Sequence, residues 1–163
     1  MDRQSFVANG AHQYSGARPG LSEWFSTAQG RYVLDWERAQ FDFACEDIFG
    51  FRAVQMGLPQ VDFLRANRIP FRFALALEHG AALAADPMQL PLANQSVDLV
   101  VLPHALESTA DPHLVLREAE RVLMPEGQLV ISGFNPLSLW RLRQMFARRG
   151  SGAPWDERFI GLL

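Results

Sequence analysis

The run Val97-Asp-Leu-Val-Val-Leu102 constrains this chain more than any other stretch. A strand that is apolar at nearly every position, rather than at alternate ones, is buried on both faces. A second such run, QLVISGF, covers Gln128 to Phe134. Between them lies a helix with legible ends. Asp111 serves as N-cap and Pro112 as the first helical residue. Leu114, Val115, Ala119, Val122 and Leu123 form its buried stripe, and Pro125-Glu126-Gly127 stops it. Strand, helix, strand with a crossover of this length is a right-handed parallel unit. Two parallel strands buried on both faces imply a doubly wound α/β sheet in three layers, with these two strands adjacent and central. Ligands of such sheets bind in the crevice at the carboxyl ends of the strands.

The remaining segments are arranged around that unit. Residues Met1 to Gly20 are polar and rich in Gly and Ala, which suits a loosely docked tail ahead of a single domain over residues 21–163. From Ser22, the residues Trp24, Phe25, Tyr32, Val33, Trp36, Phe41, Phe43, Ile48 and Phe49 recur at helical spacing. One or two amphipathic helices ending near Gly50 are expected, with their aromatics packed on the sheet. Ala53 to Met56 and Phe71 to Leu77 read as strands, Ala81 to Ala85 as a short one, Val61 to Asn67 and Leu137 to Arg149 as helices, and Asp86 to Ser96 as an irregular loop. Only Glu78, His79 and Gly80 separate Leu77 from Ala81. A parallel crossover needs a dozen residues or more, so an antiparallel hairpin is expected there, unless one of the two strands is misplaced.

Composition excludes several classes. Apolar residues make up 48% and charged residues 20%, enough for a packed core and against disorder. The net charge is −3, and the cluster Arg141, Arg143, Arg148 and Arg149 reads as a solvated helix face, so no nucleic-acid partner is expected. Cys45 is the single cysteine, so no disulfide forms within the chain and a reducing compartment is the default. No basic neighbour lowers its pKa, and it reads as a small core residue. No apolar run approaches the roughly 20 residues that span a bilayer. A soluble, cytoplasmic protein without membrane insertion and without a metal site is expected.

One stretch is specific. Asp86 opens it, followed by Leu90-Pro91-Leu92, Ser96-Val97-Asp98, Asp111-Pro112, and Glu118 to Gly127 running into Ile131 to Pro136 (ISGFNP). Over about residues 81 to 136 this resembles the type 11 branch of the class I S-adenosylmethionine-dependent methyltransferases, which includes ubiquinone and menaquinone C-methyltransferases. It is most similar to a group of bacterial methyltransferases that share the ISGFNP signature. The resemblance implies a Rossmann-like αβα core and methyl transfer from S-adenosylmethionine to a small or lipid-like acceptor. It implies that Asp86 accepts a hydrogen bond from the adenine amino group, that the backbone at Pro87 or Met88 meets the ring, and that Leu90 and Leu92 wall the adenine slot. His104 then lies at the methionyl end, exposed toward the crevice, where it is either a general base or a hydrogen-bonded structural histidine. The plainer reading is that Asp86 caps a turn, since Asp-Pro is a common turn start.

The chain departs from that family's pattern in four places. The family's Gly-x-Gly-x-Gly loop is replaced by Val54-Gln55-Met56-Gly57-Leu58-Pro59, of which only Gly57 keeps the glycine that lets backbone approach the cofactor. The acid expected to hold the ribose hydroxyls has one counterpart, Glu78. Pro87 lacks the N–H donor. The sequence stops at Leu163, before the family's closing antiparallel strands, so the core is expected to be C-terminally incomplete, with an open edge that invites pairing with a second copy. Alongside an enzyme, these departures leave open a degenerate methyltransferase fold acting as a binding or regulatory module.

Overall fold

In the computed structural model, residues 19–77 and 81–134 are described. The expected tail over residues 1–18 and the expected helix from Leu137 to Arg149 lie outside them. Two helices come first: α1 (Pro19–Phe25) and α2 (Ala28–Cys45). Pro19 opens α1 where its missing N–H is harmless. Thr27 is the N-cap of α2: its Oγ1 accepts the Gly30 N–H at 3.1 Å and donates to the Trp24 carbonyl at 2.7 Å, which ties the two helices at their junction. The strands are β1 (Arg52–Met56), β2 (Phe71–Ala76), β3 (Leu83–Ala84), β4 (Val97–Pro103) and β5 (Leu123–Ser132), with α3 (Pro112–Val122) between the last two.

The sheet has the order β3-β2-β1-β4-β5, and every pair is parallel. Alternate residues of β1 and β4 feed opposite layers, as the pleat requires. Ala53, Leu99 and Val101 join Leu21, Phe25, Phe41, Cys45 and Ile48 of the α1–α2 side. Val54, Met56, Val100 and Leu102 join Val115, Ala119 and Val122 of α3 on the other side. The helix starts as its sequence dictates: Asp111 Oδ1 accepts the N–H groups of His113 at 3.0 Å and Leu114 at 3.2 Å, with Pro112 next to it. Among the described residues no helix is long and apolar enough to cross a membrane.

Five expectations need correction. First, Phe71–Ala76 and Leu83–Ala84 are not an antiparallel hairpin: Leu75 pairs with Leu83 and Ala76 with Ala84 in parallel, and Ala82 N–H donates to Ala74 O at 3.1 Å. The crossover rule assumes a return along a full strand, whereas β3 is two residues long and the chain has little distance to recover. Second, β5 is adjacent and parallel to β4 but is not central; it ends the sheet among the described residues. Third, the helix stops at Val122, before Pro125-Glu126-Gly127, and β5 begins at Leu123. Those three residues instead form an irregularity in the pairing, with Val97 opposite Leu123 but Leu99 opposite Gln128 and Glu126 at φ 71. Fourth, no helix forms over Val61–Asn67. The backbone there turns irregularly around two buried amides. Gln55 Nε2 donates to the carbonyls of Gly57, Leu58 and Val61, and its Oε1 accepts the Phe63 N–H. Asn67 Nδ2 donates to the carbonyls of Cys45 and Ile48, while its Oδ1 accepts the Ile69 N–H. Fifth, the aromatics are not all packed on the sheet: Phe25 and Phe41 are buried, whereas Tyr32 (76%), Trp36 (58%), Phe43 (78%) and Phe49 (69%) are exposed. The buried line of α2 is Gly30, Glu37, Phe41 and Cys45. As expected, Cys45 is core, and its thiol is pushed up to about 11 by burial and then by the Asp42 charge.

Candidate functional site

The order β3-β2-β1-β4-β5 reverses direction between β1 and β4, because the chain leaves β1 toward β2 on one side and leaves β4 toward β5 on the other. The carboxyl ends of these two neighbouring strands flank the crevice in a sheet of this kind. Gly57 stands at that point. Its φ is 100°, and a Cβ there would lie 2.5 Å from the Pro103 carbonyl oxygen and 3.2 Å from the Ala105 Cβ. Bare backbone from β1 therefore meets bare backbone from β4, and only glycine permits it. Leu58, next in line, also has positive φ (43°) and buries its side chain.

On the β3 side, Asp86, Pro87 and Met88 are half-buried, while Leu90 is buried in the cluster that also holds Met56 and Ala105. Met88 and Leu92 pack against that cluster. The Asp86 Oδ1 accepts the Met88 N–H at 2.8 Å, and the Asp86 carbonyl accepts the Gln89 N–H at 3.0 Å. Asp86 thus caps its own turn, and the donor that Met88 was expected to offer an adenine ring is engaged by that cap. Glu78, the ribose-side acid, lies outside the described residues.

The segment is clasped from α3 by a pair whose roles the sequence reading missed. Glu118 Oε2 accepts the Leu90 N–H at 2.9 Å. Arg121 donates to the carbonyls of Leu90 (3.0 Å) and Leu92 (2.9 Å) and to Asn94 Oδ1 (2.7 Å), and it pairs with Glu118 at 2.7 Å. The Arg121 hydrogen bond holds the Glu118 carboxyl below its ordinary pKa. The signal was in the sequence: an acid and an arginine three apart on a helix share a face.

His104 follows β4, at φ 53°. It is not exposed toward the crevice: its ring is 1% exposed and turned toward α1 and α2. Nδ1 lies 2.7 Å from Glu107 Oε2, and Nε2 lies 3.0 and 3.1 Å from the two oxygens of Glu37. Phe25 meets the ring edge-on at 5.4 Å and Phe134 lies over it at 4.6 Å. Glu107 Oε1 also accepts the Phe134 N–H. Burial opposes the charge on His104 most strongly, but the hydrogen bonds and charges of Glu107 and Glu37 together outweigh it and lift its pKa to about 9. Glu37 and Glu107 were not singled out from sequence. Glu37 was the findable one, since it falls on the helical line Glu37, Phe41, Cys45 where an apolar residue is the rule.

Residues 64–131 match the family model described as "Methyltransferase domain", of type 11. These residues are the core of a type 11 methyltransferase domain. The uncharacterised protein YafS of Escherichia coli (strain K12) is 47% identical over 143 residues, 88% of this chain and 52% of YafS. A malonyl-[acyl-carrier protein] O-methyltransferase of Laribacter hongkongensis (strain HLHK9) is 43% identical over 82 residues, 50% of this chain and 27% of that enzyme. Among solved structures, a chain of the Haloferax volcanii complex of the Trm112 methyltransferase activator superposes with a TM-score of 0.53 at 25% identity, covering 68% of this chain and 58% of that one. The chain spans about half the length of YafS and about a quarter of the Laribacter enzyme. The parallel sheet and its flanking helices are thus the Rossmann-like methyltransferase core expected from the sequence.

Proposed function

We propose that this chain carries the cofactor half of an S-adenosylmethionine-dependent methyltransferase acting on a small or lipid-like acceptor. The observation that carries the reading is Gly57 at the carboxyl end of β1, at φ 100°, where a Cβ would come within 2.5 Å of the Pro103 carbonyl oxygen at the end of β4. This glycine keeps the junction of β1 and β4 compact at the sheet edge where ligands of such sheets bind. The residues present fit the group here and on the adenine side. Gly57 lets the cofactor approach, Leu90 backs the slot, and the half-buried Asp86 and Met88 line it beside Pro87. When bound, S-adenosylmethionine supplies a sulfonium methyl for in-line displacement. The chain's own residues position the two reactants, which is the main contribution an enzyme makes to such a step.

His104 stands apart from the base role considered for it. Both ring nitrogens face carboxylates, so it has no free lone pair to offer a substrate. We take residues 21–163 as a single domain unit, and a second copy as its partner across β5, where Leu129 and Ile131 are exposed. Light scattering of the purified chain, with Ile131→Lys as the comparison, tests the pairing: a wild-type monomer at high concentration removes it.

The decisive experiment on function is isothermal titration of the purified chain with S-adenosylmethionine and S-adenosylhomocysteine. Saturable binding of both is expected. Silence at millimolar ligand would overturn the enzyme reading in favour of a non-catalytic binding module.

A further inference from the structure

The geometry around His104 sets its protonation. A neutral imidazole has one N–H and one lone pair. Here a carboxylate lies at hydrogen-bond distance from both nitrogens, at 2.7 Å on Nδ1 and 3.0 Å on Nε2. In the neutral form, one lone pair would face a carboxylate across about 3 Å with no proton between them. The charged groups that face the ring are Glu37 from α2 and Glu107 from the segment after β4; α1 and the segment after β5 contribute only the rings of Phe25 and Phe134. No described cation competes with His104 for either acid.

We propose that His104 is a buried imidazolium that latches the α1–α2 pair onto the carboxyl end of β4, so that a single proton sets whether these helices stay docked beside the crevice. The two acids are not equivalent. Glu107 keeps a second donor, the Phe134 N–H, whereas both oxygens of Glu37 rest on His104 Nε2. On loss of a proton, the shorter Nδ1–H bond to Glu107 persists, and Glu37 is left as a carboxylate of 7% exposure facing a lone pair. A buried charge without a partner is among the costliest arrangements in a protein, and water relieves it. Glu37 sits mid-helix, so relief means lifting α2 from the sheet, and α1 follows through Thr27 and the close approach of Gly30 to Trp24. The lifted pKa of about 9 accords with this charge state. Glu37 is thus a positioning residue that acts through His104. The inference does not depend on methyl transfer and holds equally for a module that binds without turnover.

The test uses the full chain labelled with ¹⁵N. At pH 7 both His104 ring nitrogens are expected at imidazolium shifts. Hydrogen exchange of the α2 amides, normalised to those of α3, should accelerate at least tenfold between about pH 8 and 10 as the proton leaves. In Glu37→Gln the carboxamide donates to a neutral Nε2, so the ring titrates lower by about one pH unit or more, and the α2-to-α3 ratio becomes flat with pH. A purely structural role for Glu37 would not produce that rescue. A neutral His104 at pH 7 overturns the proposal on wild-type protein alone, whether or not the variant folds. So does an α2-to-α3 ratio unchanged across the pH range.

Discussion

Replacing Gly57 by alanine separates two reasons for a glycine at the crevice floor. A φ of 100° is one that an L side chain rarely adopts, and the strain is about 1–2 kcal/mol. The added Cβ would also sit 2.5 Å from the Pro103 carbonyl oxygen, a backbone atom of β4 that has no rotamer to change. Β1 and β4 must then part by several tenths of an ångström, or Gly57 must shift against the loop that Gln55 holds. Overpacking of this kind costs about 1–3 kcal/mol. The sum is roughly 2–5 kcal/mol, and a chain of this size loses about 2–4 °C of Tm per kcal/mol, so Tm should fall by roughly 5–20 °C. Urea unfolding followed by circular dichroism, together with a thermal scan, measures it with no ligand present. A Tm within about 2 °C of wild type would refute the packing argument. Gly57 would then be kept for the ligand alone, and the variant would show its defect only in cofactor titration.

Arg121→Ala should cost about 1–2 kcal/mol: its hydrogen bonds involve a charged donor, but its side chain is about a third exposed and the pairing with Glu118 is discounted for solvent. Exchange of the amides over residues 88–95 should rise while α3 stays protected; loss of α3 instead would contradict the clasp. Stability should fall with rising pH on the basic side. The folded pKa of His104, about 9, lies above its unfolded value of about 6.5, so its contribution is complete below the lower value and is lost as pH rises through the upper one, about 3 kcal/mol in all. Denaturant midpoints from pH 6 to 10 report this, and a wild type as flat as His104→Gln would contradict it. Asp86→Ala should weaken S-adenosylmethionine binding more than Glu78→Ala does, from a dissociation constant already in about the high-micromolar to millimolar range, because a missing charge-assisted grip on the ribose hydroxyls and the donor lost at Pro87 together cost about 3–5 kcal/mol, on the order of 10²–10³-fold, and the Met88 N–H is engaged. A constant near one micromolar, or a larger effect at Glu78, would show a site built differently.

Much of the architecture was legible in the sequence because its cues are local. The continuous apolar run of β4, the Asp111-Pro112 start of α3 and the apolar stripe of that helix each specify their own backbone, and together they allow one arrangement of the βαβ unit. Gly57 could be located for the same reason, since it ends a strand. What the sequence left open depends on which distant surfaces meet. The parallel β2–β3 pair defied a length rule because β3 is too short for the rule to apply. Tyr32, Trp36 and Phe43 share helical spacing with the buried residues of α2, and only the seating of that helix leaves them outside. The charge state of His104 was beyond any local reading: Glu37 lies 67 residues away in the chain, and burial brings the two to 3.0 Å in a setting where water cannot screen them.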